Sequence, residues 1–169
     1  MATIITDLKE SFRRGNIYIQ LIYINVGVFV LTTLTEVILQ LFNRSLGGMF
    51  EWLELPASLS RLIVQPWSIL TYMFMHAGIL HILFNMLWLY WFGALFLNFF
   101  SAKHLRGVYI LGGICGGILY MAAYNIFPYF QPMTEYSFML GASASVLAIV
   151  AATAYREPNY PIRLFLFGT

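Results

Sequence analysis

Charge is what this sequence has least of. Nine basic and seven acidic side chains in 169 residues, 9% in all, stand against about a quarter in a soluble domain, which excludes an ordinary water-soluble globule. A net charge of +2 is too small to suggest nucleic acid, so the basic residues are better read as topology signals. The single cysteine, Cys115, excludes an intrachain disulfide, and no histidine lies within a turn to make it a thiol nucleophile, so it reads as packing. Three histidines, with no carboxylate or cysteine at ligand spacing beside them, give no metal site, and no cofactor motif is present. What the chain has is apolar: 60% hydrophobic residues and a mean hydropathy of +0.77 identify an all-α polytopic membrane bundle whose first partner is the lipid bilayer.

Residues 1–16 read as a short polar tail with Lys9, Arg13 and Arg14. The apolar run Ile17 to Phe42 is too long for a signal-peptide core and ends without a small-residue cleavage site, so it is a retained span. Gln20 and Glu36 fall near its two surfaces, and Asn25 is the one deep polar group, an inter-helix contact. Between Asn43 and Trp67, Gly47, Gly48, Pro56 and Pro66 break the pattern, while Trp52, Leu59, Leu62, Ile63 and Trp67 remain too apolar for a free loop. Short amphipathic pieces in the headgroup region fit that composition.

A second span is expected from about His76 to Phe100, then a basic turn, Lys103-His104-Leu105-Arg106. A third runs from Gly107 to Phe127, where Gly112/Gly116 and Gly113/Gly117 form two Gly-x-x-x-Gly pairs that let a neighbour approach closely. A loop, Pro128 to Leu140, leads to a short apolar helix from about Gly141 to Tyr155. Ile162 to Gly168 begins another apolar stretch too short to cross. The expected fold is therefore four complete spans plus the start of a fifth, with a tail at 1–16 and a membrane domain over 17–169 that is incomplete at its C-terminal end. Most basic residues fall in the tail and every second connection, which puts the N-terminus in the cytoplasm.

Two imidazoles and a carboxamide interrupt the second span. Polar groups in a lipid-embedded helix face the bundle interior or a wet cavity. His81 and Asn85 are four apart and share a helix face, whereas a continuous helix would rotate His76 off it by roughly 140°. Counting rise per residue from each surface brings Ser143 to a similar depth, at the start of the fourth helix. Unpaired N–H groups of that first turn, beginning at Ala142 and Ser143, could stabilise an oxyanion. His81 and Asn85 could add donors, or His81 could be the base for Ser143. Ser145 is the rival hydroxyl, expected to point away and bond to a carbonyl one turn earlier. The bland alternatives are an N-cap role for Ser143 and hydrogen-bond glue for His81 and Asn85. A transporter or metal site at His76 and His81 is disfavoured by their different faces.

His76-x4-His81-x3-Asn85 with Trp88 and Gly93 in the same helix, followed by Gly141-Ala142-Ser143-Ala144, resembles the rhomboid family of intramembrane serine proteases. The resemblance implies Ser143 as nucleophile, His81 and Asn85 as oxyanion donors, Ala142 as a backbone donor, and His76 as a supporting residue at the mouth of the site. It implies transmembrane-helix protein substrates and a multi-pass protein, expected in a bacterial inner membrane.

The family's general base, a histidine on a later helix, has no counterpart: no histidine follows Ser143, and His104 lies toward the cytoplasmic side. The expectation is that the parent protein is a serine endopeptidase and that these residues alone are inactive. The alternative is a proteolytically dead rhomboid-like protein that binds transmembrane clients. Ala144 stands where the family usually has glycine, a methyl expected to hinder close approach of that later helix.

Overall fold

The computed structural model describes residues 6, 9–10, 12–13, 15–44 and 48–159. They include the helices α1 (Ile17–Leu41), α2 (Leu59–Val64), α3 (Ser68–Thr71), α4 (Ile79–Phe96), α5 (Ala102–Ile126) and α6 (Ser143–Arg156). Three of these, α1, α4 and α5, are long and apolar enough to cross a membrane. The 14 residues of α6 reach only about 21 Å at the helical rise, short of the roughly 30 Å of hydrocarbon. Of the four complete spans expected, three therefore have crossing length and the fourth is a shorter apolar helix. The stretch Ile162 to Gly168, Gly47, and most of the tail at 1–16 lie outside the described residues.

Two boundaries differ from expectation for local reasons. The second helix starts at Ile79 rather than His76, because Met75 is extended and Gly78 takes φ 175°, ψ 175°, which stops helix from running back to the first histidine. The third starts at Ala102 rather than Gly107. Ser101 is its N-cap, its Oγ accepting the His104 N–H at 3.4 Å, and Leu105 is fully buried. The basic run expected as a turn is therefore the first turn of α5.

The glycines of α5 form the surface on which the rest is built. A Cβ at Gly116 would lie 2.5 Å from the Ala144 methyl, and one at Gly112 would collide with the Ala148 methyl, both on α6. On the adjoining face, a Cβ at Gly117 would lie 2.7 Å from Leu55 Cδ2, and one at Gly113 would strike Met73. One pair of glycines thus seats α6 and the other seats the segment before α4, which is the close approach that small-x-x-x-small spacing permits. Asn25 is fully buried and donates to the Leu21 carbonyl at 2.8 Å and to the Tyr109 hydroxyl at 3.2 Å. It ties α1 to α5, as an inter-helix contact should.

The interfacial segment is a chain of short pieces: a 3₁₀ turn at Met49–Trp52, strand β1 (Leu55–Pro56), α2, α3 and a second 3₁₀ turn at Tyr72–Phe74. Strand β2 (Phe138–Met139), in the loop before α6, pairs with β1 in antiparallel register, Leu55 opposite Met139 and Pro56 opposite Phe138. The two long loops therefore lie at the same end of the bundle. The core beneath them holds Leu55, Tyr72, Met73, Leu89, Phe96, Tyr109 and Ile149. Large apolar side chains such as Leu31, Leu111, Leu119 and Leu147 point outward, which suits a lipid surround. Cys115, expected to pack inside, is exposed on α5 because the glycine face, not the cysteine, meets the neighbouring helices.

Candidate active site

Tyr72 fixes the segment that the site grows from. Its hydroxyl donates to the Gly113 carbonyl at 2.6 Å, anchoring it to the glycine face, while its own carbonyl accepts the Gly141 N–H at 2.9 Å. That second bond holds the turn from which α6 departs. Gly141 takes φ 115°, a region L side chains rarely adopt, and a Cβ there would lie 2.7 Å from His81 Nε2 and 3.9 Å from Asn85 Nδ2. Glycine at 141 is therefore required twice, by the backbone conformation and by the imidazole beside it.

Ala142 is the N-cap residue of α6 and Ser143 its first helical residue. Ser143 is thus not itself the cap, and no side-chain cap bond is made at this helix start. The Ala142 carbonyl already accepts the Val146 N–H at 2.9 Å, while the N–H groups of the first turn have no intrahelical acceptor. They carry the positive end of the helix dipole. Ser143 is exposed at this end, whereas Ala142 is fully buried.

His81 and Asn85 come from the first two turns of α4. Asn85 is buried and donates one amide hydrogen to the His81 carbonyl at 3.0 Å, leaving a second for another acceptor. The His81 Nδ1 accepts the Ala77 N–H at 3.4 Å. A neutral ring with an accepting Nδ1 carries its proton on Nε2, the nitrogen that faces Gly141. His81, Asn85 and Ser143 line one cavity of about 420 Å³, with Phe84, Trp88 and Leu147 among its apolar walls. A few convergent polar groups in an apolar cavity of that size are the usual form of a small binding site.

His76 meets this group in a way a helical wheel does not anticipate. Because the chain is extended at Met75 and Gly78, the His76 ring lies 5.2 Å from that of His81, edge to face at 64°. His76 is 8% exposed, and neither ring nitrogen has a hydrogen-bond partner. Burial, and then the neighbouring His81, push it down to about 4, so it is neutral at physiological pH. No group of three or more metal-ligating side chains occurs among the described residues.

The rival hydroxyl is disposed differently from expectation. Ser145 is fully buried toward Gly113, and its Oγ has no partner, so it does not bond back to a carbonyl. The Ala144 methyl sits against Gly116, whose missing side chain leaves the space, while the later helix it was expected to hinder lies outside the described residues. His104 bonds to Ser101 at the opposite end of α5. It is 12 residues from Gly116, or about 18 Å along the axis, and does not reach Ser143. Tyr72 is the site-building residue that sequence reasoning missed; nothing in its local pattern marks a tyrosine whose two ends bind separate elements.

No curated protein matches the chain. A family model does: Rhomboid domain, over residues 64–169, a range that takes in α3 to α6, every residue of the cavity just described, and well over half of the sequence. Its helices of membrane-crossing length make it an integral membrane protein, and the chain belongs to the rhomboid family.

Proposed function

We propose that this protein is an intramembrane serine endopeptidase that cleaves transmembrane segments of other membrane proteins. The observation that carries the reading is that Ser143, His81 and Asn85 line a single cavity in a chain of the rhomboid family. The Ser143 hydroxyl attacks the scissile carbonyl and passes its proton to a base, and the carbonyl oxygen becomes an oxyanion. The Nε2–H of His81, the free amide hydrogen of Asn85 and the first-turn N–H groups around Ala142 and Ser143 supply positive ends for that charge. Collapse of the tetrahedral intermediate releases the amine product and leaves an acyl-Ser143, which water hydrolyses. His76, neutral and packed on His81, supports the orientation of that ring. The N-terminus is cytoplasmic and the site lies toward the outer surface of a bacterial inner membrane.

Proton transfer needs a base that these residues do not supply. His81 is committed through Nδ1 to the Ala77 N–H, and His104 is at the far end of α5. The hydrolytic reading therefore needs a base other than His81 and His104. The same observation favours a second reading, a proteolytically dead member that binds transmembrane clients. Ser143→Ala in the whole protein abolishes cleavage of a model membrane substrate if the first reading holds; cleavage retained by that variant overturns it. Labelling of Ser143 by a fluorophosphonate separates the enzyme, which reacts, from the binder, which does not.

A further inference from the structure

A second cavity, of about 430 Å³, lies away from Ser143 in the interfacial segment. Glu51 and Arg61 bring one charge of each sign to its lining, and Trp52, Gln65, Val64 and Phe138 complete the part that matters here. The cation is half-exposed but held in place. Arg61 lies 5.3 Å over the Phe138 ring, and its closest approach to Glu135 is 3.8 Å through Nε, longer than a hydrogen bond. A guanidinium so held is suited to an oxyanion such as a phosphodiester. The Trp52 indole is stacked on Trp67 at 6.1 Å and 16°, and Trp67 Nε1 donates to the Trp52 carbonyl at 2.7 Å. A fixed, half-exposed indole next to a carboxylate is what an organic ammonium group prefers.

The surroundings say where such a ligand comes from. Ile63 and Val64 on α2 are 81% and 62% exposed, an apolar face that in a membrane protein lies against lipid. Val64 also lines the cavity, so the cavity shares a wall with this apolar face, and tryptophans are the side chains favoured where lipid meets water. We propose that this cavity, bounded by Glu51, Trp52 and Arg61, binds the headgroup of a phosphatidylethanolamine, with phosphate at Arg61 and ammonium at Glu51 and Trp52. An anionic glycerol headgroup would meet the Glu51 carboxylate without a compensating cation. A choline headgroup would keep the indole contact and lose the N–H donors that a carboxylate accepts.

The test uses the whole purified protein in mixed micelles with dioleoyl phosphatidylethanolamine, phosphatidylglycerol or phosphatidylcholine, and native mass spectrometry to count retained lipid. One ethanolamine lipid per chain is expected, preferred about tenfold over the glycerol lipid, the scale of one charge-assisted hydrogen bond. Glu51→Gln brings the two lipids to near parity, and Arg61→Gln weakens both. Parity in the unmodified protein, which needs no variant to fold, overturns the proposal, as does a preference that survives both substitutions. Retention of O-phosphoethanolamine in preference to the lipid at equal concentration would show a site for the free compound and overturn the lipid assignment.

Discussion

The imidazole of His81 occupies the space that any other residue at position 141 would need for its Cβ: that atom would fall 2.7 Å from Nε2. The backbone of one loop and the side chain of another helix are thus fitted to each other just before Ser143.

Gly141→Ala tests that fit. The φ of 115° costs an L residue about 1–3 kcal/mol, and the methyl displaces the His81 ring. A lowered Tm in detergent is expected, together with loss of fluorophosphonate labelling in the whole protein. A variant that melts normally and labels normally would contradict the geometry.

On the proteolytic reading, Asn85→Ala removes one charge-stabilising donor while leaving Ser143 in place. Cleavage by the whole protein is expected to fall about 10²- to 10³-fold, mostly in kcat, the usual loss for one oxyanion donor. Steady-state kinetics with a membrane-embedded substrate check it; a change confined to KM would assign Asn85 to substrate binding.

Gly116→Val drives a branched side chain into the Ala144 methyl and is expected to destabilise the protein by about 1–3 kcal/mol, as overpacking does. Gly116→Ala is milder, and Ala144→Gly should recover part of its loss, because the two positions share one space. A double-mutant cycle by thermal melting measures that coupling, and strict additivity would contradict it.

Two groups set the pH response with opposite signs. His76 titrates near 4 when folded, below its ordinary 6.5. The unfolded chain therefore binds the extra proton first, and stability falls as pH drops from 6.5 toward 4. Glu54, raised to about 7 by burial and then by Glu51 and Glu36, is protonated when folded, so stability falls as pH rises from 4.5 through 7. Because the two windows overlap, the melting temperature of the unmodified protein should vary little between about 4.5 and 6.5, whereas His76→Leu should leave it falling as pH rises through that range and Glu54→Gln should leave it falling as pH drops.

Much of this was legible because lipid leaves few ways to satisfy a polar group. Asn25, the paired glycines of α5, and the His81 and Asn85 face could be read from spacing, since spacing inside a regular helix fixes direction. His76 could not. A helical rotation does not apply to it because α4 does not reach it, and the extended backbone at Met75 and Gly78 turns the ring back onto His81. The free Ser145 hydroxyl has a related cause, because which neighbour a small residue meets depends on helix packing. The start of α5 was hidden by Lys103 and Arg106, whose charge reads as a turn even though Ser101 caps a helix there.

The pairing of Leu55 with Met139 and Pro56 with Phe138 is only two residues long on each side. It nonetheless fastens the strand just upstream of Gly141 to the segment that joins α1 to α4. Those four residues tie the two long loops together immediately before Ser143, so a displacement of either loop is carried to the turn from which α6 departs.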